Sequence, residues 1–209
     1  MTFSSRTEAG KQLGSHLARQ GVRASLVLGV PRGGVIVAAE VARILRCPLD
    51  VIVVRKIGHP WHREFAVGAL AEDGTRALDQ EVINQTRVPA EALREVIAEE
   101  ARRLAESRTK FLRPDRPSLL DKNVLIVDDG LATGATTEVA VGSAKALGAS
   151  RVLVAVPVAS RNAIERLGRL ADGVYALLVD PDFDAVGRYY HSFPQTTDDE
   201  VRQALGLSG

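Results

Sequence analysis

The strongest structural signal in this chain is the run Val124-Leu125-Ile126-Val127-Asp128-Asp129-Gly130-Leu131-Ala132-Thr133-Gly134-Ala135-Thr136-Thr137. Its first four residues are apolar and three of them are β-branched, so they predict a buried strand that ends at two carboxylates. A loop of small and hydroxyl-bearing residues follows, and the apolar spacing beyond it predicts a helix over about 134–147. Because open α/β sheets bind ligands at the carboxyl ends of their strands, this loop is a predicted binding site.

The loop has the composition expected of a phosphate site next to a sugar site. A helix N-terminus attracts phosphate through its N–H groups and its dipole, and small residues let the backbone approach closely. Asp128 and Asp129 would repel bare phosphate, whereas carboxylates accept hydrogen bonds from sugar hydroxyls or bind a metal ion. The run therefore predicts a sugar phosphate ligand, with magnesium as the expected ion. The predicted binding residues are Asp128, Asp129, Gly130, Ala132, Thr133, Gly134, Ala135, Thr136 and Thr137.

Two other interpretations apply to this loop. The carboxylates could instead cap the following helix, although capping does not explain the hydroxyl-rich residues. A Walker phosphate loop is excluded, because Gly134 is not followed by Lys-Ser/Thr.

The composition indicates one α/β domain. A chain of 209 residues can bury a substantial core. Its 27 basic and 26 acidic residues give a net charge of +1, which excludes a general attraction to nucleic acid or to acidic membranes. Cys47 is the only cysteine, so an internal disulfide is excluded and a cytoplasmic location is expected. No apolar run approaches the length of a membrane span.

Apolar strands and helices alternate along the chain. Strands are expected at 25–30, 49–54, 123–128, 151–157 and 173–179, helices at 5–20, 35–45, 89–111, 134–147, 160–170 and 197–205, and a turn at 113–117. The alternation predicts a Rossmann-like α/β fold, with a mostly parallel sheet of about five strands flanked by helices. We expect a single domain over 1–209, with a core at 22–180, a flexible loop at 57–75 and a small C-terminal hood at 180–209.

Basic residues stand at the ends of two further predicted strands. Pro31-Arg32-Gly33-Gly34 joins a strand to a helix, where backbone N–H groups and a guanidinium could hold a diphosphate. Arg55 and Lys56 end the next strand and would face the same crevice. Each segment alone is weak evidence for binding. A Pro-Arg-Gly-Gly turn often serves only to reverse the chain, and an isolated pair of basic residues often lies in solvent at the surface. The convergence of three strand ends on one anion favours binding.

The segment 57–75 has weak periodicity and is long for a connection, which is typical of a functional lid. It carries His59, His62 and Glu64, which together could suggest a metal site. No cysteine cluster accompanies them, so a loop that closes over a substrate and excludes water is the favoured interpretation.

The 124–137 run resembles the phosphoribosyl diphosphate (PRPP) binding motif of the type I phosphoribosyltransferases. The order of the other segments is similar as well. Residues 29–34 resemble the pyrophosphate loop of that family, Arg55-Lys56 resembles a pair found in its adenine and orotate transferases, and 57–75 lies where it has a flexible loop. The resemblance covers roughly 25–180 and is greatest to a subgroup of phosphoribosyltransferases of unassigned substrate.

The resemblance implies Mg²⁺-dependent transfer of a phosphoribosyl group from PRPP to a nitrogenous acceptor by a homodimer. Asp128 and Asp129 would bind the ribose hydroxyls and contact the metal indirectly, through PRPP or water. The implied catalytic residues are Arg32, Arg55, Lys56 and Glu64. The implied pyrophosphate-binding residues are Pro31, Arg32, Gly33, Gly34, Arg55 and Lys56.

The aromatic tail after residue 180 resembles the hood with which purine transferases bind the base. Phe183, Val186 and Tyr189 are the implied base-binding residues, and a cluster that merely covers the core is the alternative. Ala132 stands where the hypoxanthine-guanine enzymes carry an aspartate, which argues against a 6-oxopurine and matches the adenine type. The acceptor base stays open.

Two other function classes are compatible with parts of the sequence. A PRPP-binding regulatory or accessory protein would keep the site and lack transfer. A phosphoacceptor receiver domain also begins with an apolar run and two aspartates, but this chain has no lysine after Lys145 to serve such a site.

Overall fold

The computed structural model describes residues 2–113 and 115–207, without the side chain of Glu64. Its elements in chain order are α1 (Arg6–Arg19), β1 (Leu26–Gly29), α2 (Gly33–Leu45), β2 (Leu49–Val51), β3 (Val54–His59), β4 (His62–Ala71), β5 (Arg76–Leu78), α3 (Gln80–Gln85), α4 (Ala90–Phe111), β6 (Asn123–Val127), α5 (Ala135–Ala146), β7 (Arg151–Ser160), α6 (Arg161–Leu167), β8 (Gly173–Asp180), a 3-10 turn (Val186–Tyr189) and α7 (Asp198–Ala204).

The main sheet contains five strands in the order β2-β1-β6-β7-β8, and all four pairings are parallel. This confirms the predicted α/β architecture. In the centre, Gly29 of β1 is in register with Val127 of β6, so both strands end at the same level. The loops that follow these two strands, at 30–32 and 128–134, therefore leave the sheet side by side.

Helices pack against both faces of this sheet. Val27 and Leu125 point to the layer formed by α1 and α2, where Leu13, Val37 and Val41 are fully buried. Alternate residues of the same strands point to the opposite layer, because successive side chains of a strand lie on opposite faces. That layer contains α5, α6 and parts of β3 and β4.

The segment 57–75 differs from the predicted irregular loop, because it forms most of a second, antiparallel sheet. β3 pairs with β4, and β4 pairs with β5, in the order β3-β4-β5. Glycines in this sheet allow close approach, since a Cβ on Gly58 or on Gly68 would collide with a carbonyl oxygen of the facing strand. Because glycine adds no apolar side chain, it removes the alternation by which strands are recognised in a sequence.

The two ends of the chain pack together as a small layer beside the main sheet. The Phe3 N–H donates to the Tyr189 carbonyl at 2.8 Å, and the His191 N–H donates to the Phe3 carbonyl at 2.8 Å. The last helix, α7, begins at a capping box in which Thr197 and Glu200 exchange hydrogen bonds, as the sequence predicts. Within the described residues, no helix is both long and apolar enough to span a membrane.

Candidate functional site

The candidate site lies where the loops after β1 and β6 meet. The start of α2 is pressed against the end of β6, since a Cβ on Gly34 would lie 2.8 Å from the Asp128 Oδ1 atom and 2.9 Å from the Asp128 Cα atom. Pro31, which precedes this turn in a cis peptide bond with Arg32, lines the neighbouring cavity. The predicted phosphate loop and the predicted diphosphate turn are therefore adjacent.

The N-terminus of α5 has the geometry of an anion site. Gly134 is its N-cap residue, has a φ of 74° and makes no side-chain cap, so the first N–H groups of the helix keep their donor capacity. The Thr133 hydroxyl accepts only a long hydrogen bond, of 3.4 Å, from the Ala135 N–H. Thr136 is half-buried beside the helix start, and Thr137 is 1% exposed. This is the arrangement that the sequence predicts for a bound phosphate.

The acidic pair does not cap α5. Asp128 accepts a hydrogen bond from the Asp129 N–H at 2.8 Å and a longer one, of 3.4 Å, from the Thr137 hydroxyl. Asp129 binds Arg6 instead, at 2.7 Å. Among the hydrogen bonds of the described residues, neither carboxylate accepts one from a backbone N–H of α5, so the capping interpretation is wrong.

The two carboxylates are energetically costly when no ligand is present. Burial raises the pKa of Asp128 well above its usual range, and the neighbouring charge of Asp129 raises it further. Burial also raises the pKa of Asp129, while the hydrogen bond and the charge of Arg6 act against this rise. Both residues are half-buried, and a half-buried pair of like charges favours any ligand that donates hydrogen bonds to it.

Arg6 is a member of the site that the sequence analysis missed. Its Nη1 group donates to the Pro194 carbonyl at 2.7 Å, and its guanidinium carbon lies 3.7 Å from the centre of the Phe193 ring. Tyr190 stabilises the same loop, because its hydroxyl donates a hydrogen bond to the Asp129 carbonyl oxygen at 2.6 Å. The sequence contains one indication of this role. A positive charge in the first turn of a helix is unfavourable next to the helix dipole, so Arg6 at the start of α1 suggests a nearby acidic partner.

Four of the six predicted pyrophosphate-binding residues line one cavity of ≈ 670 Å³ together with Thr136, namely Pro31, Arg32, Arg55 and Lys56. Gly33 and Gly34 are not part of its lining. Arg32 lies at its edge, where one guanidinium nitrogen is 3.6 Å from an Asp198 oxygen. Arg55 and Lys56 reach the cavity from β3, which is part of the second sheet and not of the main sheet as expected. Residues from both predicted basic segments thus meet at one cavity, although the element that supplies Arg55 and Lys56 differs from the expected one. Their pyrophosphate-binding role stays a prediction.

Arg55 is held in place by Glu100 of α4, a second residue that the sequence analysis missed. Both the Nε and Nη2 atoms of Arg55 lie 3.0 Å from one oxygen of Glu100, which is 5% exposed. Arg103 binds the other oxygen of Glu100 at 2.9 Å. Glu100 lies four residues after Val96 and four before Leu104, on the apolar side of α4. An acidic residue at such an apolar position is the sequence signal that could have revealed it.

The tail places the three predicted base-binding residues together, but it uses one of them for packing. Tyr189 is 9% exposed, its ring stacks on Phe183 at a centroid distance of 5.2 Å, and its hydroxyl donates to Asp180 at 2.7 Å. Val186 lies against the site, because a Cβ on Gly130 would be 2.6 Å from its Cγ1 atom. The base-binding role of all three stays a prediction.

The histidines of the hairpin do not form a metal centre with the described side chains. His59 is 4% exposed and packs against Trp61 and Phe65, and its Nδ1 atom accepts a long hydrogen bond from the Trp61 N–H. His62 is exposed at the hairpin end. The side chain of Glu64 lies outside the described part of the structure, so its catalytic role stays a prediction.

A divalent cation fits this site only if the ligand provides some of its coordination. Among the described residues, no group of three or more His, Cys, Asp or Glu side chains lies close enough to hold an ion. Asp128 and Asp129 supply hard oxygen donors next to the predicted phosphate sites, and Mg²⁺ is commonly held by one or two carboxylates, waters and substrate phosphates. The donor set is compatible with magnesium that arrives with a diphosphate.

Comparisons with known proteins agree with this geometry. A family model described as the phosphoribosyl transferase domain matches residues 6–174. A protein of Mycobacterium tuberculosis H37Rv, whose name assigns it provisionally to the phosphoribosyl transferases, is 44% identical over 200 residues. The match covers 95% of this chain and 45% of the relative, so the chain spans about half the length of the curated relatives it matches.

Solved structures show the same fold. The crystal structure of the protein TT1426 from Thermus thermophilus is 44% identical, with a TM-score of 0.78 and coverage of 98% of both chains. A purine phosphoribosyltransferase from Pyrococcus horikoshii is 21% identical, with a TM-score of 0.50 and coverage of 90% of each chain, which is a likeness of fold alone. The family match excludes the receiver-domain alternative. This chain belongs to the phosphoribosyl transferase family.

Proposed function

We propose that the chain transfers the phosphoribosyl group of PRPP to a nitrogenous acceptor, a nucleobase, and releases pyrophosphate in a Mg²⁺-dependent reaction. The observation that carries this proposal is the uncapped N-terminus of α5 beside the half-buried pair Asp128 and Asp129. A 5-phosphate suits the helix start, and two ribose hydroxyls suit the carboxylates. The cavity beside them then receives the diphosphate.

The reaction forms a bond from the acceptor nitrogen to C1 of the ribose and breaks the bond from C1 to the diphosphate oxygen. The electron pair of the broken bond leaves with the pyrophosphate, and the proton of the acceptor nitrogen passes to solvent, since Ala132 offers no base. Arg32, Arg55 and Lys56 stabilise the charge that grows on the diphosphate. Bound magnesium would supply further neutralisation of that charge. Glu100 keeps the Arg55 guanidinium oriented, so little reorganisation is needed in the transition state.

The acceptor is proposed to bind on the hood side, next to Gly130. Phe183 and Val186 are half-buried there and offer apolar contact to a flat ring. The position of Ala132 favours an adenine-type acceptor over a 6-oxopurine. As the family resemblance implies, we infer that the working form is a homodimer, and the single cysteine supports a cytoplasmic location.

A second candidate is a PRPP-binding regulatory or accessory protein without transfer. The packing of the tail favours it, because Tyr189 is buried and Val186 already covers Gly130, where a stacked base would lie. In that case PRPP binds, but no base reaches C1.

A single assay distinguishes the two candidates. The protein is incubated with PRPP, magnesium and, in turn, adenine, guanine, hypoxanthine, xanthine, uracil or orotate, and pyrophosphate release is followed. Transfer predicts release with one of these bases, above the hydrolysis measured without any base. Release that never exceeds this background, in a protein that binds PRPP, would contradict transfer to these bases and favour the regulatory candidate.

Gly33→Ala is expected to lower the affinity for PRPP about tenfold or more, because misplacing a binding group by about 1 Å is costly. A Cβ at this position would collide with the Asp129 Oδ2 atom and lie 2.6 Å from the Arg6 Nε atom, so the ion pair must shift. Calorimetric titration with PRPP and magnesium measures the effect. Gly142→Ala, in α5, is the matched control, since its Cβ meets only the Thr75 methyl group, at 3.3 Å. Equal affinities of the two variants would contradict the close fit at Gly33.

A further inference from the structure

Arg6 joins three parts of the chain at the candidate site. It lies at the start of α1, it binds the second aspartate of the β6 loop, and it binds the C-terminal segment through Pro194 and Phe193. Its side chain is 11% exposed and that of Asp129 is 17% exposed, so the ion pair is largely shielded from water. Shielded, charge-assisted hydrogen bonds fix geometry more firmly than exposed ones do.

The ion pair uses only one oxygen of the carboxylate. The Arg6 Nε atom donates a hydrogen bond to Oδ2 of Asp129. In the described part of the chain, Oδ1 accepts no hydrogen bond from another residue. The backbone of Asp129 is held separately, since Tyr190 donates to its carbonyl oxygen. The carboxylate is thus fixed at one oxygen, while the other oxygen keeps its acceptor capacity.

We propose that Arg6 is a positioning residue, which holds Asp129 so that its second oxygen meets a ribose hydroxyl of PRPP. This inference rests on the proposed function. It assigns part of ribose recognition to the start of α1 and to the segment around Phe193 and Pro194 that holds Arg6. Arg6 contacts the loop after β6 at Asp129 and lies beside Gly33, and it does not line the diphosphate cavity. Its loss should therefore weaken contacts to the ribose and leave contacts to the diphosphate almost unchanged.

The test compares ligands that contain the ribose with one that lacks it. Calorimetry with magnesium measures the affinity of wild type, Arg6→Ala and Arg6→Lys for PRPP, ribose 5-phosphate and pyrophosphate. Arg6→Ala is expected to bind PRPP and ribose 5-phosphate about tenfold more weakly, since a charge-assisted hydrogen bond is at stake, and pyrophosphate within about twofold of wild type. Arg6→Lys should restore part of the loss, since an ammonium can reach one carboxylate oxygen. Arg43→Ala is the control, because Arg43 is exposed and pairs with Glu40 on α2.

Steady-state kinetics separates positioning from a merely structural role. Positioning predicts a higher KM for PRPP in Arg6→Ala with little change in kcat, whereas partial unfolding lowers kcat through fewer active molecules and leaves KM unchanged. If Arg6→Ala does not fold, Arg6→Lys carries the same test with an expected loss of about threefold for PRPP alone.

Two results would overturn the inference while the proposed function stands. One is an affinity of Arg6→Ala for PRPP equal to that of wild type, and the other is an equal loss for PRPP and for pyrophosphate. Wild-type protein that binds none of the three ligands would instead refute the proposed function, and the role of Arg6 with it.

Discussion

Asp128→Asn is expected to make the protein more stable and to lower its affinity for PRPP about 100-fold. Stability rises because the change removes one of two half-buried, neighbouring like charges, and this environment raises the pKa of Asp128. Asparagine keeps one oxygen, which can accept the hydrogen bond that the Asp129 N–H donates to Oδ1. The Thr137 hydroxyl, which donates to Oδ2 in the wild type, can turn and accept a hydrogen bond from the new amide N–H. Affinity falls because a charged acceptor is lost to the ribose hydroxyls, and each such hydrogen bond is worth up to about 3 kcal/mol.

A gain in stability together with a loss of affinity for PRPP distinguishes a ligand-binding residue from one that supports the fold. Urea unfolding gives the free energy of unfolding, and calorimetry with PRPP and magnesium gives the affinity. Asp182→Asn, at an exposed position after β8, is the control and should change neither quantity appreciably. An Asp128→Asn variant that is less stable than wild type, or that binds PRPP as tightly, would show that Asp128 is retained for the fold and not for the ligand.

Arg116→Ala is expected to lower the free energy of unfolding by about 3–5 kcal/mol, as measured when one partner of a buried ion pair is removed. Arg116 binds Asp50 at 3.1 Å, Glu72 through its Nη1 atom, and the Val51 carbonyl at 3.0 Å. Both carboxylate side chains are 4% exposed, so the variant leaves two buried charges without their common partner. Urea unfolding measures the loss. Arg94→Ala removes an exposed pair within α4 and should cost less than about 1 kcal/mol.

The cost of Arg116→Ala should depend on pH in a defined direction. Burial raises the pKa of Glu72, and the hydrogen bond and charge of Arg116 oppose this rise, so without Arg116 the pKa of Glu72 rises further. A carboxyl group whose pKa is raised in the folded state binds its proton more tightly there than in the unfolded chain, so stability increases as the pH falls through that pKa. The difference between variant and wild type should therefore be larger at about pH 8 than at about pH 5. A difference that is constant or grows on acidification would contradict this account of the cluster.

The parts of the molecule that the sequence predicts well are those with a strong local signal. The four residues before Asp128 are all apolar because β6 is buried on both faces of the sheet. The neighbouring strands β1 and β7 are buried in the same way. The order of strand, loop and helix then places the phosphate loop without any knowledge of distant contacts. Thr197 and Glu200 were predictable for a similar reason, since a capping box lies within four residues.

The parts that could not be predicted depend on distant contacts. Arg6 lies 123 positions from Asp129, and Arg55 lies 45 positions from Glu100, so no local pattern connects them. Arg116 lies in a stretch that the sequence indicates only as a turn, yet it joins β2 to the end of β4. In each case the sequence shows a charged residue of ordinary appearance, and only the tertiary packing brings it to a partner that is buried or half-buried.

The tail illustrates a different difficulty. Its aromatic residues suit either a base or a core, because stacking and burial call for the same side chains. The structure shows that Tyr189 contributes to packing through its ring and to a hydrogen bond through its hydroxyl, while Phe183 and Val186 remain half-buried. Composition alone could not divide these residues between the two roles.

Calorimetric titration of the wild-type protein with PRPP in the presence of magnesium measures whether the loop after β6 binds this ligand. We expect saturable binding to one site per chain, much weaker binding in Asp128→Asn, and unchanged binding in Asp182→Asn. Absence of binding at millimolar PRPP, or equal binding by the wild type and Asp128→Asn, would refute PRPP binding at this loop.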